Sequence, residues 1–415
     1  MGRFLLLRRS FSMSISTTLD KPTTEAVQRL SRESQQTVLR ARIVGELEDA
    51  GFVYRDGLLA LPRDAGDDPK EIARRLHLAH RTSVLVRNIR FIDRWEDQLI
   101  GDFADGDEVV PEAISPRIVP VETKRDAALF RFASLHWSVP VSAGYGRRSR
   151  FLVYDDANGK LMGIFALGDP VFNLGVRDKL IGWTSTARQE RLYGVYDAYV
   201  LGAIEPYREL IGGKLIAACA VADQTAEYLR KKYIGQVTNI QQTKKDPRAV
   251  LVTTTSALGR SSIYNRLQFD GRRLFSSVGY TEGFGHFHFS DELFGSIVEF
   301  LRSEGDLRGH EYGEGPNWRI RTLRKGLEML KLNGDLLRHG IKREVFIAPR
   351  ALGWRAYLRG ESEYLRWLSL DIDALGGHWR ERWAVPRSQR DTRYKEHHRD
   401  AMRISPEVEA LRAID

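Results

Sequence analysis

The chain contains a single cysteine, Cys219, in 415 residues. One cysteine excludes an internal disulfide and every multi-cysteine zinc or iron–sulfur site, so a reducing compartment, the cytoplasm, is the expectation. Its setting, Leu215-Ile216-Ala217-Ala218-Cys219-Ala220-Val221, is apolar, which suits an inert core residue. No apolar run approaches the roughly 18 residues that a membrane-spanning helix requires. The start, Met1 to Met13, carries Phe4-Leu5-Leu6-Leu7-Arg8-Arg9, a stretch too short for a secretory core. Residues 1–22 therefore read as a disordered leader, with translation starting at Met13 as one option. There is no internal repeat, no low-complexity tract, no Walker-type phosphate loop, no His-Glu-x-x-His helix and no serine elbow.

What is present is a globular composition. Hydrophobic residues make up 42% and charged residues 29%, with both signs mixed, which supports a core and argues against global disorder. The length suggests two or three domains. The net charge of +9 points toward an anionic partner, nucleic acid in the first instance.

Periodicity divides the chain into an N-terminal helical block over 23–126, a central block over 127–300 and a helical, arginine-rich region over 301–415. In the first block, Ala41 to Ala50 reads as a helix stopped by Gly51. The Arg55-Asp56-Gly57 turn between Phe52-Val53-Tyr54 and Leu58-Leu59-Ala60-Leu61 reads as a hairpin. Asp67-Asp68-Pro69 opens a second helix through His80. In the centre, Phe151 to Leu167 is a hairpin about Asp155–Lys160, Ile211 to Tyr233 has helical period, and Arg248 to Thr255 is a β-branched strand. A short helix over Ser261–Leu267 and strands over Leu274–Val278 and Phe284–Phe289 follow. Trp318 to His339 reads as one basic helix closed by Gly340, Glu344 to Ala348 as a strand, and Glu361 to Leu370 as a helix. Strands and helices alternate, so the fold class is α/β or α+β with a central mixed sheet.

Several central stretches carry a family resemblance. They are Phe130-Arg131, Trp137-Ser138-Val139-Pro140, Gly144-Tyr145-Gly146-Arg147-Arg148, Asn158-Gly159-Lys160-Leu161-Met162-Gly163 and Leu167-Gly168-Asp169-Pro170-Val171-Phe172-Asn173-Leu174. Arg177-Asp178, Ile181-Gly182-Trp183, Asp197-Ala198-Tyr199-Val200-Leu201-Gly202, Gly212-Gly213-Lys214-Leu215, Thr253 to Leu267 and Gly279 to His288 follow in order, and Trp379-Arg380-Glu381-Arg382-Trp383 fits near the end. As an ordered set over roughly 130–290 they resemble the DruA family of the Druantia anti-phage system. The resemblance implies a role in phage defence, beside a helicase-like partner, and implies no reaction.

Three chemical readings remain open. A hairpin, a strand, a glycine turn and a helix is the order in which acetyltransferases of the GNAT type hold a pyrophosphate on backbone N–H groups. Here Arg208, Gly212, Gly213 and Lys214 would bind the coenzyme and Tyr264 would protonate the departing thiolate. The glycine spacing departs from the usual Arg/Gln-x-x-Gly-x-Gly, and the alternative is a tight helix–strand contact. The second reading is a metal-dependent single-strand endonuclease. On a strand, His286 and His288 would share a face and hold one divalent metal, with Glu282 as third ligand and Tyr264 or Tyr280 as nucleophile. The alternative is two structural histidines. The third reading is binding alone, through Arg319, Arg321 and Arg324 of the basic helix and Arg380, Arg382, Arg387 and Arg390 of the tail. His378 to Arg403 holds eight Arg or Lys against four acids, interleaved with Trp379, Trp383 and Tyr394. Against it stands a salt-bridged arm packed on the protein by its tryptophans.

Overall fold

The computed structural model describes residues 32–61, 69–137, 146–237, 242–256, 261–305 and 318–413. The expected leader and the acids Asp67 and Asp68 lie outside them. Helix α1 (Arg32–Asp49) ends at Gly51, whose φ of 90° an L side chain resists, and the hairpin β1 (Val53–Arg55) and β2 (Leu58–Ala60) follows as expected. Helix α2 (Pro69–Leu99) runs well beyond His80, and β3 (Pro116–Pro120) and α3 (Lys124–Ser134) complete the N-terminal stretch. Thr123 and Asp126 form a reciprocal capping box that fixes where α3 starts.

The centre is a seven-stranded mixed sheet. Strands β4 (Arg148–Asp155) and β5 (Lys160–Gly168) form its hairpin. The turn is tied by Asp155, whose Oδ1 accepts the N–H groups of Ser115 and Ala157, and by Asn158, whose Oδ1 accepts the N–H of Lys160. After α4 (Gly175–Ile181) and α5 (Ser185–Arg191) come β6 (Val195–Ala203), α6 (Gly212–Cys219), α7 (Asp223–Tyr233) and β7 (Leu251–Thr255). Two short strands, β8 (Gln268–Phe269) and β9 (Arg272–Arg273), precede β10 (Ser276–Tyr280). Helices α8 (Asp291–Ser303) and α9 (Trp318–Met329) lead to β11 (Glu344–Pro349). The sheet order is β10-β11-β7-β6-β5-β4-β3, antiparallel throughout except β6 and β7, which run parallel over Val195–Asp197 and Leu251–Thr253. Its edge strand β3 precedes residue 127, so the sheet draws on the stretch read as N-terminal.

The remaining elements are β12 (Ala351–Leu352), α10 (Trp354–Leu358), β13 (Arg366–Trp367), α11 (Ile372–Trp379), α12 (Val385–Ser388) and α13 (Ser405–Arg412). One face of the sheet buries Phe151, Phe165 and Tyr196 with Leu215 and Ile216 of α6 and Trp379 of α11. The other buries Leu152, Ile164 and Val200 with Ile92 of α2, Phe132 of α3 and Val408 of α13. A separate cluster joins Leu39, Ile43 and Leu47 of α1 to Leu293 and Ile297 of α8 and Leu323 of α9.

Five expected elements differ, three through contacts with distant residues and two through local turns of the backbone. The span 211–233 is two helices, because Arg350 donates from Nε to Val221 O at 2.7 Å and Leu370 O accepts the N–H of Asp223. Residues 261–267 make turns: the carbonyls of Ser262, Ile263 and Asn265 are taken by Lys214 Nζ instead of a helical ladder. Residues 284–289 form no strand. Gly283 stands at φ 70°, Phe289 N–H closes a turn on His286 O, and Phe284 bridges only Arg338. The basic helix stops at Met329, where Lys331 takes a left-handed φ of 54° and Leu332 N–H returns to Leu327 O. Over 361–370, Leu368 N–H bonds Arg350 O and Leu370 N–H bonds Asp223 Oδ2, so a strand pairing replaces the helix.

Candidate functional site

The residues chosen for chemistry are dispersed. Tyr264 is a core residue, with ring centroids of Phe275 and Phe346 at 5.2 and 4.7 Å and its hydroxyl 3.5 Å from Thr254 Oγ1. Burial pushes its phenol up to about 12, which opposes a role as nucleophile or acid. His288 is buried in a different part of the molecule, 5.4 Å from the Phe52 ring and 5.5 Å from that of His339. Its Nε2 donates to Leu336 O at 2.7 Å, and burial lowers its pKa to about 4. His286 is half-buried and also lowered by burial, and then by Arg319, while Glu282 and Tyr280 are exposed. The irregular backbone removes the strand alternation on which a shared face depended. Among the described residues no group of three His, Cys, Asp or Glu is arranged to hold a metal.

The glycine pair does start a helix, as expected. Gly212 is required there for packing: a Cβ would stand 2.6 Å from Tyr207 O and 3.0 Å from Ala203 Cβ. Gly212 N–H donates to Tyr207 O and Lys214 N–H to Ile211 O. Lys214 Nζ is spent on its three carbonyls at 2.7 to 3.0 Å, and burial lowers its pKa to about 8. Arg208 is exposed and pairs with Glu205. The tail closes over this loop. Trp379 donates from Nε1 to Ile211 O at 3.2 Å, Arg387 from Nε to Glu209 O at 3.2 Å, and the Trp383 ring lies 5.6 Å from Lys214 Nζ.

The cations chosen for nucleic acid are largely engaged within the chain. Arg319 bonds Asp291 and Phe289 O, Arg380 bonds Ile114 O and Arg387 pairs with Asp391. Arg321, Arg324, Arg382 and Arg390 are exposed; Arg390 bonds Pro386 O four residues before it. Trp379 and Tyr394 are buried in the main core, so the tail is an arm packed on its own protein.

A different surface combines free charge with aromatic rings. An open groove of about 480 Å3 runs between α2, α3, the start of β4 and the middle of β6. Lys124, Arg131, Arg148 and Arg150 supply its charge, and among the described residues no carboxylate lines it. Phe91, Trp95, Phe130 and Tyr199 supply the rings. Each placement has a local cause. Phe91 and Trp95 are four apart on α2 and share a face. Arg148 and Arg150 are two apart on β4 and project to one side. Tyr199 is the extra residue of a bulge in β6, between partners Ala198↔Leu167 and Val200↔Ala166, and the bulge turns its ring toward Arg148, 4.0 Å away. Gly168 makes room for that ring: a Cβ there would lie 3.2 Å from Tyr199 Cε1. Arg131 sits 4.1 Å from the Phe91 centroid and is fixed by Asn88 Oδ1. The sequence signals were the Arg147-Arg148-Ser149-Arg150 run and the Phe91/Trp95 spacing, but only the docking of α2 and α3 on the sheet brings them together.

The family model described as "Druantia protein DruA" matches residues 67–360. This chain belongs to that family. The Druantia protein DruA of Escherichia coli (strain UMEA 4076-1) is 43% identical over 368 residues, covering 87% of this chain and 90% of that protein. No solved structure matches. The whole groove lies inside the matched span: its lining residues, from Phe91 to Tyr199, all fall between residues 67 and 360. Among the described residues no helix is long and apolar enough to cross a membrane.

Proposed function

We propose that this chain is the nucleic-acid-contacting subunit of a bacterial anti-phage defence system. Membership of the Druantia DruA family supports its place in a multi-component defence system. The observation that carries the nucleic-acid reading is the groove lining, four cations and four aromatic rings with no carboxylate among the described residues that line it. Cations answer the phosphate backbone, and rings answer the faces of bases.

Binding without transfer is the reading we favour. The single parallel pair, β6 with β7, inside an otherwise antiparallel sheet, with a helix that begins on two glycines between them in the chain, supports an acetyltransferase-like frame. The loop that would cradle an acyl donor is covered instead by Trp379 and Arg387, and Lys214 is committed to backbone carbonyls. The test is fluorescence anisotropy of labelled DNA and RNA oligonucleotides with the full chain over a range of salt. Binding that weakens steeply with salt is expected. Absence of binding to every nucleic acid at low salt ends the proposal.

A further inference from the structure

We propose that the groove between α2, α3 and β4 is a single-strand binding site, in which unpaired bases lie against Trp95, Phe91 and Tyr199 while their phosphates meet Arg148, Arg150, Arg131 and Lys124. This rests on the nucleic-acid reading above and assigns it a place and a form of ligand. Three observations carry it. The rings are recessed: Phe91, Trp95 and Tyr199 are half-buried within the groove and Phe130 is buried beneath them. In a duplex the base faces are stacked on one another and shielded, so a recessed ring is reached only by a base that has left the stack.

The charges are the second observation. Lys124, Arg131 and Arg150 are exposed, Arg148 is partly so, and the described residues offer none of them a carboxylate at ion-pair distance. Elsewhere exposed arginines are commonly matched, as Arg87 with Asp291, Arg117 with Asp156 and Arg125 with Asp102. Four cations left unmatched around one concavity fit a polyanion. The third observation is the pairing of each kind of group with the other. Arg131 over Phe91, Arg148 over Tyr199 and Arg150 5.6 Å from the Phe130 centroid set cation beside ring three times along the groove. That alternation matches a strand, whose phosphate and base recur with each nucleotide. The volume, about 480 Å3, is within the roughly 300–1,000 Å3 range of small-ligand sites and so admits few nucleotides at a time.

The experiment compares a labelled single-stranded oligonucleotide, its duplex and a mononucleotide, with the full chain and four variants. The single strand is expected to bind more tightly than the duplex and to quench tryptophan fluorescence. Arg148→Gln with Arg150→Gln is expected to reduce the log–log salt slope by about 1.4, since each lost phosphate contact removes about 0.7 on single strands. Trp95→Ala is expected to weaken binding by about 5- to 100-fold, the loss of one stacked base, while Trp95→Phe retains most of it. Arg150→Gln alone alters only an exposed side chain and guards against a folding defect in the others. A duplex bound as tightly as the strand, or a mononucleotide that binds as well as the oligonucleotide, overturns the inference. So does single-strand binding that all groove variants leave unchanged, and in that case the nucleic-acid reading survives without this site. No binding to any form removes both.

Discussion

Individual residues report how tightly this fold is drawn. Gly212 has no room for a methyl group, with backbone oxygen 2.6 Å from where a Cβ would stand, whereas a Cβ on Gly295, inside α8, would meet nothing outside its own helix within 4 Å among the described residues. Gly212→Ala should therefore lower stability by about 1–3 kcal/mol through overpacking. Gly295→Ala should raise it by up to about 1 kcal/mol by restricting the unfolded chain and favouring helix. Thermal melts of the two variants check the contrast, and equal shifts of one sign would contradict it. His288 makes a second case. Its pKa falls from 6.5 to about 4, first because it is buried, and among the described residues its Nδ1 has no hydrogen-bond partner to offset a proton's charge. As pH drops the unfolded chain takes up the proton first. The stability that depends on neutral His288 is complete above about pH 6.5 and is lost as pH falls toward 4, on the order of 3 kcal/mol across the interval. His288→Gln should melt lower than the parent at pH 7.5 and lose less on acidification; parallel curves from pH 7.5 to 4.5 would show that another group controls the acid limb.

At the scale of elements, local signals were followed where no distant residue competed. The β1–β2 hairpin, the β4–β5 hairpin, β7, β11 and the start of α6 at Gly212 were all legible from turn residues and alternation. Three of the misreadings, over 211–233, 261–267 and 361–370, share one cause, a side chain from far along the chain taking a backbone group that a regular element needs. Arg350 is the clearest example. It sits at the end of β11 and reaches Val221 O and Asp223, 2.6 Å from its Oδ1, and so separates α6 from α7. Periodicity over 211–233 could not register it, because the interruption lies 129 residues downstream. Lys214 does the same to residues 262–265. The candidate site was less legible than the fold, since its rings and cations come from two helices and two strands. Charged hydrogen bonds of this kind contribute about 1.5–3 kcal/mol. Arg350→Ala should lose about that much in urea denaturation, and Arg350→Lys should recover little, because a single ammonium cannot span Val221 O, Ala249 O and Asp223 together. Full recovery by lysine would mean that the charge, not the planar fork, holds the break.

For the whole molecule the question is where its excess of positive charge acts. The sequence places the densest cations in the tail, yet there they serve the fold: Arg399 binds Asp105, Arg403 binds Asp97 and Asp400, and Arg393 binds Asp391. The tail then returns to the far face of the sheet, where α13 packs on α2, so it clasps both layers. Its tryptophan Trp379 is almost wholly enclosed, and Trp379→Ala should cost about 3–5 kcal/mol. The cations of the groove have no carboxylate at ion-pair distance among the described residues. Two double substitutions of equal charge separate these roles. Arg382→Gln with Arg390→Gln removes two exposed tail cations, and Arg148→Gln with Arg150→Gln removes two groove cations. If the groove alone meets phosphate, only the second pair flattens the salt dependence of oligonucleotide binding, and Trp379→Ala lowers the melting temperature with the slope unchanged. A slope that falls equally with the tail pair would place phosphate on the arm as well, and would extend the binding surface from one face of the sheet to the other.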